Sequence, residues 1–111
     1  MKKNIKIAIV GLGQIGLYLY NELRFKKKEI EIKTGKNIQV VAIAAKNKNK
    51  KRKFKIDKNI FYSDPLKIFK EKKIDVLFEC IGLADGISKK IVETSLKKKI
   101  HVITPNKALI A

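Results

Sequence analysis

The chain has 111 residues, 45% of them apolar, enough for one globular domain with a modest core. Its single cysteine, Cys80, excludes an internal disulfide and fits a reducing compartment, and no run approaches the roughly 20 apolar residues of a membrane helix. The net charge of +17 points toward polyanions, but lysine supplies nearly all of it: Arg24 and Arg52 are the only arginines and aromatics are few. The forked guanine contacts and base stacking of a dedicated nucleic-acid protein are therefore not provided, and only weak, salt-sensitive adhesion is expected.

Met1-Lys2-Lys3 ahead of an apolar run imitates a signal peptide. Gln14 interrupts that run and no small-residue cleavage site follows, so a cytoplasmic location is expected. Residues 5–10 predict a first strand, apolar enough to be buried on both faces. It runs into Gly11-Leu12-Gly13-Gln14-Ile15-Gly16, a G-x-G-x-x-G spacing. A helix is expected from about Gln14, with Ile15, Tyr18, Leu19 and Leu23 on its inward face, continuing to about Lys33 and stopped at Thr34-Gly35. Ile38 to Ala44 predicts a second strand, followed by a charged loop from Lys46 to Lys55. Asn59 to Tyr62 predicts a short strand, and Ser63-Asp64-Pro65 starts a short helix with Leu66 and Phe69 inward. Asp75 to Cys80 is a further buried strand. Asp85 is placed to cap a helix whose inward face is Ile87, Ile91, Val92 and Leu96, and Ile100 to Ile103 is the last strand. Alternating strands and helices give an α/β fold with a parallel sheet and right-handed crossovers.

In such a sheet, ligands sit beyond the carboxyl ends of the strands. The first strand end predicts a dinucleotide site: Gly11 permits the tight turn, Gly13 the approach of a pyrophosphate, and Gly16 close helix packing. After the second strand, an NAD-preferring site would present an acid to the ribose 2′-hydroxyl. Here Ala44-Ala45-Lys46 follows and no acid occurs before Asp57, which favours NADP, with NAD possible. Lys46 is the leading 2′-phosphate contact, with Lys48 and Arg52 in reserve; the alternative is that Lys46 only opens a solvated loop. Gly82 can bring backbone close to the nicotinamide end. Lys107 puts a cation where a nicotinamide amide or a carbonyl substrate would lie, although on chemistry alone a surface lysine at a helix start is the better reading. Cys80 and Glu79 read as a core thiol and a locally bonded carboxylate, and His101 as structural. No metal site is expected.

Four stretches together resemble a known family: Ile7 to Gly16, Val40 to Lys46, Phe78 to Gly82, and His101-Val102-Ile103-Thr104-Pro105-Asn106-Lys107-Ala108-Leu109-Ile110-Ala111. In order and spacing they are similar to the N-terminal NAD(P)-binding part of homoserine dehydrogenase along essentially the whole chain. The resemblance implies a Rossmann-type sheet of order 3-2-1-4-5 over residues 1–111 and NAD(P)H-dependent interconversion of L-aspartate 4-semialdehyde and L-homoserine, on the route to threonine, methionine and isoleucine. It assigns Gly11, Leu12, Gly13, Gln14, Ile15 and Gly16 to the pyrophosphate and Lys46 to the 2′-phosphate. It puts Ile81 and Gly82 along the nicotinamide ribose and Lys107 near the reacting centre. Lys46 stands where the family often has arginine, so the bidentate fork is lost. Family members are much longer, and their proton donor, substrate-holding acids and oligomer contacts lie beyond the matched region. The chain is therefore expected to be a fragment that carries no catalytic residue and does not turn over alone, its semialdehyde substrate and homo-oligomeric assembly belonging to the full-length enzyme. Two alternatives stand beside this reading: a free-standing NADP-binding regulatory module, and another NADP-linked semialdehyde or amino-acid dehydrogenase.

Overall fold

The computed structural model describes residues 3–45, 57–81 and 86–104. Five strands, β1 (Lys3–Val10), β2 (Lys36–Ala44), β3 (Phe61–Tyr62), β4 (Val76–Glu79) and β5 (His101–Ile103), form one sheet in the expected order β3-β2-β1-β4-β5. Each described pairing is parallel. Helices α1 (Gln14–Phe25), α2 (Lys27–Thr34), α3 (Pro65–Glu71) and α4 (Ile87–Lys97) complete the fold.

Helices cover both faces, so the central strand is apolar at consecutive positions rather than alternately. Ile7 and Ile9 pack with Tyr20 of α1, Ile38 and Ile43 on one face; Ala8 and Val10 pack with Ile68 of α3, Leu77 and Ile91 of α4 on the other. In β2 the alternation slips. Ile7 pairs with Val40 and Ala8 with Ala42, leaving Val41 as the extra residue of a β-bulge. Val41 and Ala42 consequently face the same core, beneath α3 and α4, while Val40 and Ile43 face α1.

The expected single helix to Lys33 is instead two. Lys26 leaves helical geometry at φ −99° and ψ 12°, although its N–H still donates to the Glu22 carbonyl at 2.9 Å. Beyond it, Ile30 packs on the same core as Leu23, and Gly35 stops α2 in the left-handed conformation at φ 70°, as the sequence suggested. The inward face of α1 also differs from expectation. Ile15 and Tyr18 are exposed, and Gly16, Leu19, Tyr20 and Leu23 form the packed stripe. Gly16 sets this phase, because it must face the turn that precedes the helix.

Lys58–Ile60, expected to be mostly strand, is a 3₁₀ turn, because the Asp57 carboxylate accepts from the Asn59 N–H at 2.9 Å. Helix α3 begins as anticipated, with Asp64 accepting from Leu66 N–H at 3.0 Å and Pro65 at its first position; Ile68 is its fully buried residue. Helix α4 starts after Gly86, which as its N-cap makes no side-chain bond; Asp85, expected to cap this helix, lies outside the described residues. Its buried stripe is Ser88, Ile91, Val92 and Ser95, whereas Leu96 is 62% exposed. The Ser95 hydroxyl donates to the Ile91 carbonyl at 2.8 Å, so a small polar residue faces the sheet without an unmet bond. The helix closes in a Schellman motif, with Lys99 N–H donating to Leu96 O and Ile100 N–H to Ser95 O. Lys99 holds the left-handed position at φ 59°.

Candidate functional site: the carboxyl edge of the sheet

Three strand ends converge on Gly11. Its N–H donates to the Ala44 carbonyl of β2 at 2.7 Å, while Cys80 N–H donates to the carbonyl of Val10 at 2.7 Å. Ala45 N–H continues the edge to the Tyr62 carbonyl of β3 at 3.1 Å. Gly11 has φ 98°, and a Cβ there would stand 2.8 Å from the Cys80 carbonyl carbon and the Ile81 nitrogen. A Cβ on Gly16 would stand 1.9 Å from the Gly11 carbonyl oxygen. These two glycines are thus demanded by close backbone approach inside the protein. Gly13 is different: a Cβ there would meet nothing within 4 Å. Its φ of −72° suits any residue, so the protein itself does not require glycine at this position.

Gly13 is the N-cap of α1 and makes no side-chain cap bond, and Leu17 N–H is the donor to its carbonyl, at 3.0 Å. The N–H groups of the first helical turn, from Gln14 to Gly16, therefore have no intrahelical acceptor. They lie at the positive end of the helix dipole, next to Gly13, where a Cβ would meet nothing within 4 Å. Donors without an acceptor in their own helix, a favourable dipole and open space at Gly13 are what a pyrophosphate needs, and the residues present fit that group.

The β4 end lies against this turn. Glu79 is fully buried; one carboxylate oxygen accepts from Ile81 N–H at 2.7 Å and the other from the Thr104 hydroxyl at 3.0 Å. The local bond was expected, but the link to Thr104 across 25 residues was not. An acid closing an otherwise apolar strand was the available signal. Burial pushes the neighbouring Cys80 thiol up to about 11, with the Glu79 charge adding to the shift, so Cys80 stays protonated at neutral pH. His101 is exposed on the edge strand, its backbone N–H donating to the Asp75 carbonyl at 3.1 Å. Ser88, near the start of α4, is buried with its hydroxyl unpartnered among the described residues.

Of the residues singled out in the sequence, Gly11 to Gly16 and Ile81 therefore meet at one edge. Lys46, Gly82 and Lys107 lie outside the described residues. A separate groove of about 900 Å³, lined by Tyr20, Leu23, Arg24, Ile38, Val40 and Ile60 among others, shares no lining residue with the glycine turn. Arg24 stacks over Tyr20 there, 5.3 Å from the ring centre. Among the described residues no cluster of His, Cys, Asp and Glu could hold a metal ion, and no helix is long and apolar enough to cross a membrane.

A family model described as the homoserine dehydrogenase NAD-binding domain matches residues 11–111. Homoserine dehydrogenase of Neisseria gonorrhoeae is 30% identical over 109 residues, covering 98% of this chain and 25% of the relative. That of Pseudomonas aeruginosa is 33% identical over 98% of this chain and 24% of the relative. Among solved structures, Staphylococcus aureus homoserine dehydrogenase at pH 7.5 superposes with a TM-score of 0.87 at 30% identity, over 96% of this chain and 27% of that one. The Thiobacillus denitrificans enzyme gives 0.80 at 25% identity, over 98% and 25% respectively. The chain thus spans about a quarter of the length of the curated relatives it matches. With its Rossmann-type sheet and its glycine turn, the chain belongs to the homoserine dehydrogenase NAD-binding domain family, whose cofactor class is a nicotinamide dinucleotide.

Proposed function

We propose that this chain holds the nicotinamide dinucleotide for the homoserine dehydrogenase reaction, the interconversion of L-aspartate 4-semialdehyde and L-homoserine that leads toward threonine, methionine and isoleucine. The observation that carries this reading is the contrast among the glycines: Gly11 and Gly16 are required by internal packing, whereas Gly13 faces open space beside the uncapped helix end. The cofactor supplies hydride at its nicotinamide ring. The first-turn N–H groups beyond Gly13, on Gln14, Ile15 and Gly16, bind its pyrophosphate, and Leu12 shapes the turn. Ile81 and Gly82 flank the nicotinamide ribose, and Lys107 contacts the cofactor close to the reacting carbon. In this reading the substrate-holding acids, the proton donor and the homo-oligomer contacts belong to the remaining three quarters of the enzyme. A cytoplasmic setting suits the free thiol of Cys80.

The preferred cofactor is NADP. Ala45, bonded to Tyr62 at the sheet edge beside the glycine turn, is followed immediately by Lys46, and no carboxylate intervenes before Asp57. A lysine attracts a 2′-phosphate that an acid would repel. Titrating the chain with NADPH and with NADH, followed by nicotinamide fluorescence, tests this. NADPH is expected to bind about tenfold more tightly, a difference of roughly 1.4 kcal/mol, and Lys46→Ala to remove most of the gap. Equal or tighter binding of NADH would refute the NADP preference. No saturable binding of either by a chain with a folded far-UV spectrum would refute the cofactor role.

A further inference from the structure

Glu79 is a fully buried carboxylate with no ion-pair partner among the described residues. Burying an acid without a cation is unfavourable, and an apolar residue would fill the same space more stably. Its two oxygens are engaged by two different strand ends. One takes the N–H of Ile81, two residues on, and folds the start of the β4–α4 turn back on itself. The other takes the hydroxyl of Thr104, the residue immediately after β5, which pairs with β4 through Phe78 and Ile103. The Ile81 nitrogen bonded by Glu79 is also the atom that a Cβ on Gly11 would strike at 2.8 Å. Glu79 therefore fixes three backbone segments relative to one another: the glycine turn, the β4 exit and the β5 exit.

We propose that Glu79 is a positioning residue for the nicotinamide half of the cofactor: it holds Ile81 and Thr104 in register with the glycine turn, so that the ring and its ribose meet a preformed wall. The inference rests on the cofactor reading above and adds a residue and a role to it. A buried carboxylate accepts two donors at once without needing either to move, which a neutral hydroxyl or amide does less well. Rigid placement of the strand exits lowers the ordering cost of binding at that end. The adenosine half, which leans on β1 and β2, does not depend on it.

The test compares two ligands on the 111-residue chain: NADPH, and 2′-phospho-AMP, which lacks the nicotinamide half. Glu79→Ala is expected to weaken NADPH about tenfold while leaving 2′-phospho-AMP within about twofold. Glu79→Gln, whose amide oxygen can accept from Ile81 N–H and whose NH₂ can donate to Thr104, is expected to recover most of that loss. Thr104→Val removes one of the two bonds without changing side-chain shape. It is expected to weaken NADPH alone, by about threefold, and decides the matter should Glu79→Ala not fold. Parallel weakening of both ligands, or no change in either, would reduce Glu79 to a structural role and overturn the inference. If the unaltered chain binds neither ligand, the cofactor reading itself fails and takes the inference with it.

Discussion

The β1–α1 crossover and the β4–α4–β5 crossover meet at the same sheet edge but are built in opposite ways. The first is made by removing side chains: Gly11 and Gly16 bring backbone against backbone so closely that no Cβ would fit. The second is made by adding polar and conformationally costly groups, namely the buried Glu79, the hydroxyl of Ser88, unpartnered among the described residues, and a lysine at φ 59°. A region at its steric limit loses by gaining one carbon. A region carrying buried polar groups and a left-handed lysine has room to become more stable.

That difference is open to attack from both sides. The largest effect is expected from Gly16→Ala, since its methyl would stand 1.9 Å from the Gly11 carbonyl oxygen. Backbone must shift, and a loss of about 3 kcal/mol or more is expected in urea unfolding. A loss below about 1 kcal/mol would show that the turn has slack and would break the comparison. In the second crossover the signs reverse. Lys99→Gly relieves the left-handed residue of the Schellman motif and is expected to add about 1 kcal/mol, read as a higher melting temperature. Ser88→Ala removes a buried hydroxyl that has no partner among the described residues and is expected to add up to about 1 kcal/mol. Destabilisation by either change would mean that these groups are supporting the crossover.

A further effect is confined to alkaline pH and concerns Cys80, where the two crossovers touch. Its folded-state pKa is raised from 9.0 to about 11, mainly by burial. The neutral thiol therefore contributes stability fully below pH 9.0, and that contribution is lost as pH rises through about 11, because the unfolded chain ionises first. Urea midpoints followed across that window should fall in the unaltered chain and fall less in Cys80→Ala. An identical slope in both would remove Cys80 as the cause.

The same division explains what could be read from the sequence. The glycine turn and the helix start at Asp64-Pro65 depend on residues close together in the chain, each with a distinct conformational preference, whereas the strand order was implied by the family resemblance. Register and phase did not carry the same signal. The bulge at Val41 is hidden inside a continuous apolar run, where either face accepts a valine. The inward face of α1 is set by Gly16, which has no hydropathy to reveal it, so Ile15 and Tyr18 looked buried and Tyr20 did not. In α4 two serines occupy the core-facing stripe, and apolar counting therefore extended it to the exposed Leu96. At the site, Glu79 was legible as a locally bonded acid, but its second partner arrives from another strand.

The central claim, that the space above Gly13 is kept open for a ligand, is tested most directly by NADPH titration of Gly13→Ala beside the unaltered chain. A Cβ there meets nothing within 4 Å and the backbone is at φ −72°, so the variant should melt within a few degrees of the original. Its affinity for NADPH should nevertheless fall about tenfold, because the methyl occupies the path of the pyrophosphate. Unchanged affinity in a folded Gly13→Ala chain would contradict the account.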